Sequence, residues 1–473
     1  DELDGYNISF DGSTIIYKKG NSLAVIKTES AKGKEKTLDL SDLKMIMDPT
    51  EEWEQMFNET WRMHRDFYYE PNMKGVDWSR MKAKYFKLLS RATCRQDVRF
   101  IIGEMIAELS TSHAYVNGGE LKRKPDPVSV GLLGADYNID TVNNLYRFEK
   151  IYRIPDWSRK TIPPLYGPGM DVSEGDYLLA VNGKKIKADK EIYSYFQDMA
   201  GKNVTIRVNK KPSDDGARDI TVKLTASETK LRSLDWAEHN RQLVEKLSNG
   251  QIGYIYFPDT FENSAIDFPR YFYSQLNKKG LVVDARFNGG GLDPDIFMER
   301  LDKKIRSYWT RRHSHDFPEP ITAIRAHLVC ITNLYAGSGG DSFPWLFKER
   351  KIGPVIGTRS WGGLVGTSMD IPLIDGGTIN VPDYRIYNPR GEWVIENVGM
   401  VPDITVDIHP AEMERGYDAQ LMKALEILEK KIKTDPLTAP VHQPFIVEEL
   451  KNSTPNPSVV AAGSTAATPS ASN

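Results

Sequence analysis

Between residues 252 and 357 short apolar runs alternate with helical patterns, and this alternation constrains the fold more than any other feature of the chain. Strands are expected at 252–257, 280–285, 327–332 and 355–357, with helices between them at 264–277, 293–302 and 341–350. Such an order is the signature of an α/β layer structure. A helix at 234–249 opens the region, and one at 416–433 closes it with Tyr417, Leu421, Ala424, Leu425 and Leu428 on one face. Twice the strand passes to the helix through a glycine-rich turn, first in Asp284-Ala285-Arg286-Phe287-Asn288-Gly289-Gly290-Gly291 and again in Asn333-Leu334-Tyr335-Ala336-Gly337-Ser338-Gly339-Gly340-Asp341.

The 473 residues exceed what one hydrophobic core organises, so two to four domains are expected. Upstream of the α/β region the periodicity is different. Asp48-Pro49-Thr50-Glu51-Glu52 is a helix start, and Trp53, Met56, Phe57, Trp61, Phe67 and Tyr68 recur at helical spacing with His64 on the same stripe. With further helices at 78–90 and 95–109, residues 48–125 read as a helical bundle whose last helix breaks at Ser110-Thr111-Ser112-His113. From about Pro127 the pattern turns to short strands. Gly175-Asp176, an apolar run and Asn182-Gly183 describe a strand closing at a tight turn, and with a helix near 190–199 the unit 126–228 resembles a PDZ domain. At the start, strands at 6–10, 14–18 and 22–27 read as the end of a larger all-β region, 1–30, separated from the bundle by the basic linker 32–36. Residues 436–473 read as an extended tail, and the Ser, Thr, Ala and Pro-rich stretch 452–473 is expected to stay unfolded.

Charge and cysteine content exclude several function classes. The 62 basic and 65 acidic residues are interspersed, with no basic stripe suited to nucleic acid. Cys94 and Cys330 stand far apart without a Cys/His cluster, so neither a disulfide framework nor a metal site is suggested, and no cofactor is expected. No apolar run approaches a membrane span, and no signal peptide is visible. The chain opens on Asp1, so the true N-terminus is expected upstream.

Three segments carry chemistry. A serine at a glycine-flanked bend before a helix has an exposed hydroxyl and neighbouring N–H groups free to face an anion, which suits Ser338 to acyl transfer; the alternatives are an ordinary loop or a phosphate cradle. Glycines at 289–291 let the backbone approach a ligand with its N–H groups outward, or simply make a tight turn; no Lys-Ser/Thr pair follows, so this is no P-loop. His113 is a general-base candidate or a helix-capping histidine.

Together these segments resemble the catalytic half of the tricorn protease family over residues 48 to 433. The resemblance implies a multidomain α+β protein: a helical bundle, a PDZ-like β domain and an α/β protease core of crotonase-like ββα type at 229–435, with 1–30 a remnant of an N-terminal β-propeller. It implies a serine endopeptidase with Ser338 as nucleophile, His113 as base, Ser112 orienting the imidazole, Glu396 hydrogen-bonding that serine, and Gly291 and Gly339 supplying the oxyanion N–H groups. Peptide or oligopeptide substrates, a homo-oligomer (a hexamer in the family) and a cytoplasmic location are implied in the same way, with periplasmic or secreted locations left open. Where the family has an acidic residue after the nucleophile, this chain has Gly339. Where it has the acidic residue that selects basic P1 side chains, counting back from Ser338 reaches Trp309, so an apolar or aromatic P1 is expected, with Asp316 and Glu319 as further candidates for that pocket. A C-terminal processing peptidase would need a lysine about 25 residues after Ser338, where Gly362-Gly363 stands. A catalytically silent peptide-binding scaffold is the remaining alternative.

Overall fold

The computed structural model describes residues 3–20, 22–29, 35–120, 127–158, 160–292, 294–368 and 370–444. The tail 452–473 and most of the linker 32–36 lie outside the described residues. Four antiparallel strands, β1 (Gly5–Ile8), β2 (Thr14–Lys19), β3 (Ser22–Lys27) and β4 (Lys36–Thr37), form a sheet in sequential order. Helices α1 (Pro49–Phe67), α2 (Trp78–Leu89) and α3 (Arg95–Ala107) follow, then the short strand β5 (Val116–Asn117). The next sheet holds β6 (Ala135–Asp140), β7 (Leu145–Ile151), β8 (Tyr177–Val181), β9 (Lys184–Lys185), β10 (Asn203–Asn209) and β11 (Arg218–Lys223) in the order β11-β10-β8-β7-β6, with β9 on β8. The helix expected at 190–199 is a 3-10 turn, Ile192–Phe196, too short to make a full α-helical ladder.

The remainder runs α4 (Thr229–Leu247), β12 (Ile252–Tyr256), α5 (Glu262–Tyr273), β13 (Gly280–Asp284), α6 (Asp295–Leu301), the hairpin β14 (Ser307–Arg311) and β15 (Ser314–Glu319), β16 (His327–Thr332), α7 (Gly339–Glu349) and β17 (Val355–Gly357). It ends with β18 (Val365–Gly366), β19 (Asp370–Pro372), β20 (Thr378–Asn380), β21 (Tyr384–Arg385), β22 (Ile404–Thr405), α8 (Pro410–Glu414) and α9 (Ala419–Thr434). Strands β12-β13-β16-β17-β22 make one fully parallel sheet. Their near-continuous apolar sequences follow from burial on both faces. Val244 of α4 and Leu421, Ala424, Leu425 and Leu428 of α9 cover one face. Phe268 and Phe272 of α5, Phe297 of α6 and Phe343 and Phe347 of α7 cover the other. At the end of β13, Arg286 is fully buried between Asp284 and Asp418, each 2.7 Å away, which ties the start of α9 to the sheet. Helix α4 begins at Thr229, ahead of the expected 234, because Leu231 already packs inside.

The bundle is not closed by its own residues. Leu373, Ile379 and Val381, from the β19–β20 hairpin far downstream, complete its core, and β20 pairs with β5. Arg95 and Asp375 add a buried ion pair between the two. Inside the bundle His64 is fully buried, its Nδ1–H donating to the Thr60 carbonyl at 2.9 Å, and burial holds its pKa down to about 4. An unfolded histidine titrates near 6.5, so between about pH 6.5 and 4 the unfolded chain binds the extra proton and stability falls as pH falls. At pH 5 this costs about 2 kcal/mol relative to pH 7.5. Urea denaturation of wild type and His64→Leu at the two pH values should show that difference shrinking by about that amount in the variant.

Candidate active site

The two glycine-rich turns leave the sheet at the carboxyl ends of neighbouring parallel strands, β13 and β16, where open α/β sheets gather their ligand sites. Ser338 caps α7 with φ 58°, a left-handed conformation costly for a residue with a side chain. The strain is held by Asp341, one turn into the helix. Its buried carboxylate accepts the Ser338 N–H at 2.8 Å, the Gly362 N–H at 2.7 Å, the Gly363 N–H at 3.2 Å and the Ser360 hydroxyl. Burial pushes this carboxyl above its ordinary range, against hydrogen bonds that favour the charged form. The sequence placed Asp341 in the motif without a role; its contacts join residues 19 to 22 positions apart, which no local pattern reveals.

The first glycine-rich turn presses directly on this bend. A Cβ at Gly290 would lie 2.8 Å from the Gly337 carbonyl and from Ser338 Cβ, and one at Gly339 would lie 2.8 Å from the Gly291 nitrogen. Only bare backbone fits here. Among the described residues the Gly291 and Gly339 N–H groups donate no hydrogen bond, and the two lie side by side next to Ser338.

Ser112 and His113 arrive from the bundle. After α3 the chain turns through Ser110 and His113, both at positive φ, 45° and 56°. Glu396 fixes this turn from the other side of the molecule. It is buried, and its carboxylate accepts the Ser112 N–H at 2.8 Å, the Ser112 hydroxyl at 2.9 Å and the Leu364 N–H at 2.8 Å. Ile395 and Asn397, on either side of it, also have positive φ, which is a large cost for a β-branched residue. Asn397 donates to the Ser110 carbonyl at 2.8 Å, as does the Lys74 ammonium at the same distance, and the Tyr68 hydroxyl meets Thr111 at 2.6 Å. The His113 ring meets Trp361 edge to face with centroids 5.9 Å apart, and Trp361 lies over Gly337, where a Cβ would be 2.7 Å from its ring. One indole thus separates the imidazole from the residue before Ser338. Buried His113 Nε2 has no hydrogen-bond partner within the described residues.

A cleft of about 440 Å³ opens beside Ser338 and Gly291. Its wall is mainly apolar, from Leu292, Pro294, Leu346, Leu364 and Ile386, with Tyr384 over Gly366. Two charged residues reach it: Asp295, which is held by Arg350 at 2.8 Å, and Arg385. Trp309 does not line it. That residue is 57% exposed on the β14–β15 hairpin, which pairs with no other strand among the described residues, and its indole donates to Glu319 at 3.1 Å. Asp316 sits on the same hairpin, so in this chain neither Trp309 nor its acidic neighbours form the wall expected of them. Position 363, where a serine–lysine dyad would place its lysine, is a glycine donating to Asp341.

A serine at a strained strand-to-helix bend, amides beside it that donate no hydrogen bond among the described residues, and a histidine turn tied to the core by Glu396 make up the candidate site on the α/β core. Comparison with known proteins gives the family. Residues 251–406 match peptidase family S41, 131–227 the tricorn protease PDZ domain and 49–107 the tricorn protease C1 domain. A tricorn protease homolog of Saccharolobus solfataricus is 34% identical over 91% of this chain and 40% of its own length. The tricorn protease of Thermoplasma volcanium is 31% identical over 90% of this chain and 41% of its own. The crystal structure of the tricorn protease superposes with a TM-score of 0.80 at 29% identity, over 91% of this chain and 42% of that one. This chain belongs to the tricorn protease family. It spans half or less of the length of the curated tricorn relatives it matches.

The close approach of the two turns yields a direct test. Gly290→Ala combines φ 85° with a Cβ in contact with Ser338, and should lower the unfolding free energy by about 1–3 kcal/mol in chemical denaturation.

Proposed function

We propose that this chain is the catalytic part of a serine endopeptidase acting on peptides or oligopeptides through an acyl-enzyme. The observation that carries the reading is that Ser338 and the Gly291 and Gly339 amides, which donate no hydrogen bond among the described residues, line one cleft, while Glu396 ties the Ser112-His113 turn to Leu364 of the same cleft. His113 takes the Ser338 proton as the hydroxyl attacks the peptide carbonyl. The N–H groups of Gly291 and Gly339 receive the oxyanion; each such donor is typically worth about 10²–10³ in rate, and general-base catalysis roughly 10²–10⁴. Protonated His113 then delivers its proton to the leaving amine, and water hydrolyses the ester by the reverse sequence. Ser112, held through both its N–H and its hydroxyl, orients the imidazole, and Glu396 holds Ser112. Gly339 replaces an acidic residue without loss, since only its backbone is used.

The finer architecture belongs to the same reading. The core is crotonase-like, the β1–β4 sheet is the end of a propeller-like domain, and the domains divide near residues 125 and 228, which the separate matches at 49–107, 131–227 and 251–406 support. The protein works as a homo-oligomer in the cytoplasm. The cleft wall supports an apolar or aromatic P1 residue, because its lining is mainly apolar and Asp295, the carboxylate that reaches it, is already held by Arg350.

Ser338→Ala should abolish hydrolysis, and a fluorophosphonate should label Ser338 in the wild type. Absence of both labelling and turnover in folded protein would leave the scaffold reading in its place. Ser112→Ala and Glu396→Gln should reduce kcat by about 10–10³-fold, and Glu396→Gln should also cost about 1–3 kcal/mol of stability, because an amide turns a donor toward an N–H or hydroxyl. In a fluorogenic panel varied at P1, Leu and Phe should exceed Lys and Asp by at least about tenfold in kcat/KM; a basic preference would refute the pocket assignment.

A further inference from the structure

The PDZ-like unit contains a carboxylate that is not supplied by a ligand. Units of this kind capture a peptide by adding it to a sheet edge and holding its terminal carboxylate in a nest of backbone N–H groups. Here β6 is one of the two edge strands, and the loop 131–134 leads into it. Gly134 and Ala135 N–H groups both point at one oxygen, Glu228 Oε1, at 2.7 and 3.3 Å. Gly131 donates to the Phe196 carbonyl and Leu132 to the Thr225 carbonyl, each at 2.9 Å, while Val130 bridges Gln197. The mouth of the loop is therefore bonded to the end of the neighbouring 3-10 turn and to the chain leaving the unit.

Glu228 is the residue after the matched PDZ segment and the one at which α4 begins. It does not cap its own helix, because its side chain is turned into the loop. It is 6% exposed. Its second oxygen accepts two hydrogen bonds from Arg232, one turn along α4, at 2.7 and 3.1 Å. The Arg232 guanidinium also pairs with Asp136 of β6 at 2.7 Å and donates to the Tyr152 hydroxyl at 2.7 Å, and that hydroxyl donates to Asp136 at 2.7 Å. Leu231 packs against the same turn, 3.3 Å from where a Gly134 Cβ would lie. Two residues of one helix turn thus present a carboxylate to the nest and a counter-ion to the edge strand, both with their charges matched.

We infer that the PDZ-like unit is self-ligated: Glu228 occupies the nest that would take a peptide's terminal carboxylate, and the partner docked on this unit is the chain's own helix α4. The unit is then a fixed mount for the first helix of the protease core and not a receptor for free peptide termini. This inference rests on the PDZ assignment and is independent of the peptidase reading, since its test does not measure hydrolysis.

Hydrogen exchange read by mass spectrometry over residues 131–135, in Ser338→Ala protein to prevent cleavage, gives the test. The probes are a hexapeptide with an apolar C-terminal residue as free acid, and the same peptide as its C-terminal amide, at millimolar concentration. With Glu228 present neither probe should change exchange in the loop. Glu228→Ala should speed exchange there at least about tenfold, and the free acid, not the amide, should restore protection. Glu228→Gln, which keeps the side-chain size and an acceptor for Gly134, should remain folded and show a smaller acceleration. Protection of the loop by the free acid while Glu228 is intact overturns the inference. So does unchanged exchange in both variants, or equal protection by acid and amide in Glu228→Ala.

Discussion

The site depends on one buried carboxylate. Glu396 accepts three hydrogen bonds, two from Ser112 at the end of the bundle and one from Leu364 in the core, so a single side chain sets where the bundle's last turn meets the protease sheet. A carboxylate removed from water is stable only when its lone pairs are taken, and here the takers come from the end of the bundle and from the protease core. The placement of His113 follows from that tie together with the Asn397 and Lys74 bonds to the Ser110 carbonyl. The positive φ at Ile395 and Asn397 is the backbone strain that aims Glu396 inward, and Asn397 returns part of it through its bond to the Ser110 carbonyl.

On the nucleophile side Asp341 has the corresponding task. It binds the Ser338 N–H and the 360–363 turn with one carboxylate, which fixes the strained serine and the turn carrying Trp361 relative to each other. Glycine at 290, 337 and 339 is then a packing requirement: three backbones come within contact distance, and each missing Cβ leaves the space another backbone or ring fills. That the Gly291 and Gly339 amides donate no hydrogen bond among the described residues is a by-product of that proximity, because hydrogen-bonded turns would have used them.

The architecture brings distant parts of the sequence into single cores. The β19–β20 hairpin finishes the bundle, Asp418 of α9 neutralises Arg286 at the end of β13, and Glu228 joins α4 to the PDZ-like sheet. Two of these ties are charged side chains at element boundaries, Asp418 before α9 and Glu228 before α4. Such contacts are costly to break singly, since each leaves a buried charge unpaired.

Much of this was legible in the sequence wherever a local rule applies. The parallel strands announced themselves as continuous apolar runs, α1 to α3 by their helical stripe, and the two glycine-rich turns by the backbone freedom that only glycine gives, so Ser338 and the glycines at 289–291 could be named as candidates from one dimension, with His113 as a candidate base; the separate roles of Gly291 and Gly339 came with the family resemblance. The short strands β18 to β22 were not, having two or three residues each and no period to read. Neither were Asp341's contacts, Lys74's bond to the turn before Ser112, or the exposed position of Trp309, where counting along the chain put a pocket wall on a free hairpin. The sequence by itself determined the elements and the residue types capable of the chemistry, because propensity and periodicity act over a few neighbours. Only the tertiary structure decided which of them meet, because the Ser112–Glu396 pair closes a loop of 284 residues and its energy exists only once the two cores are packed.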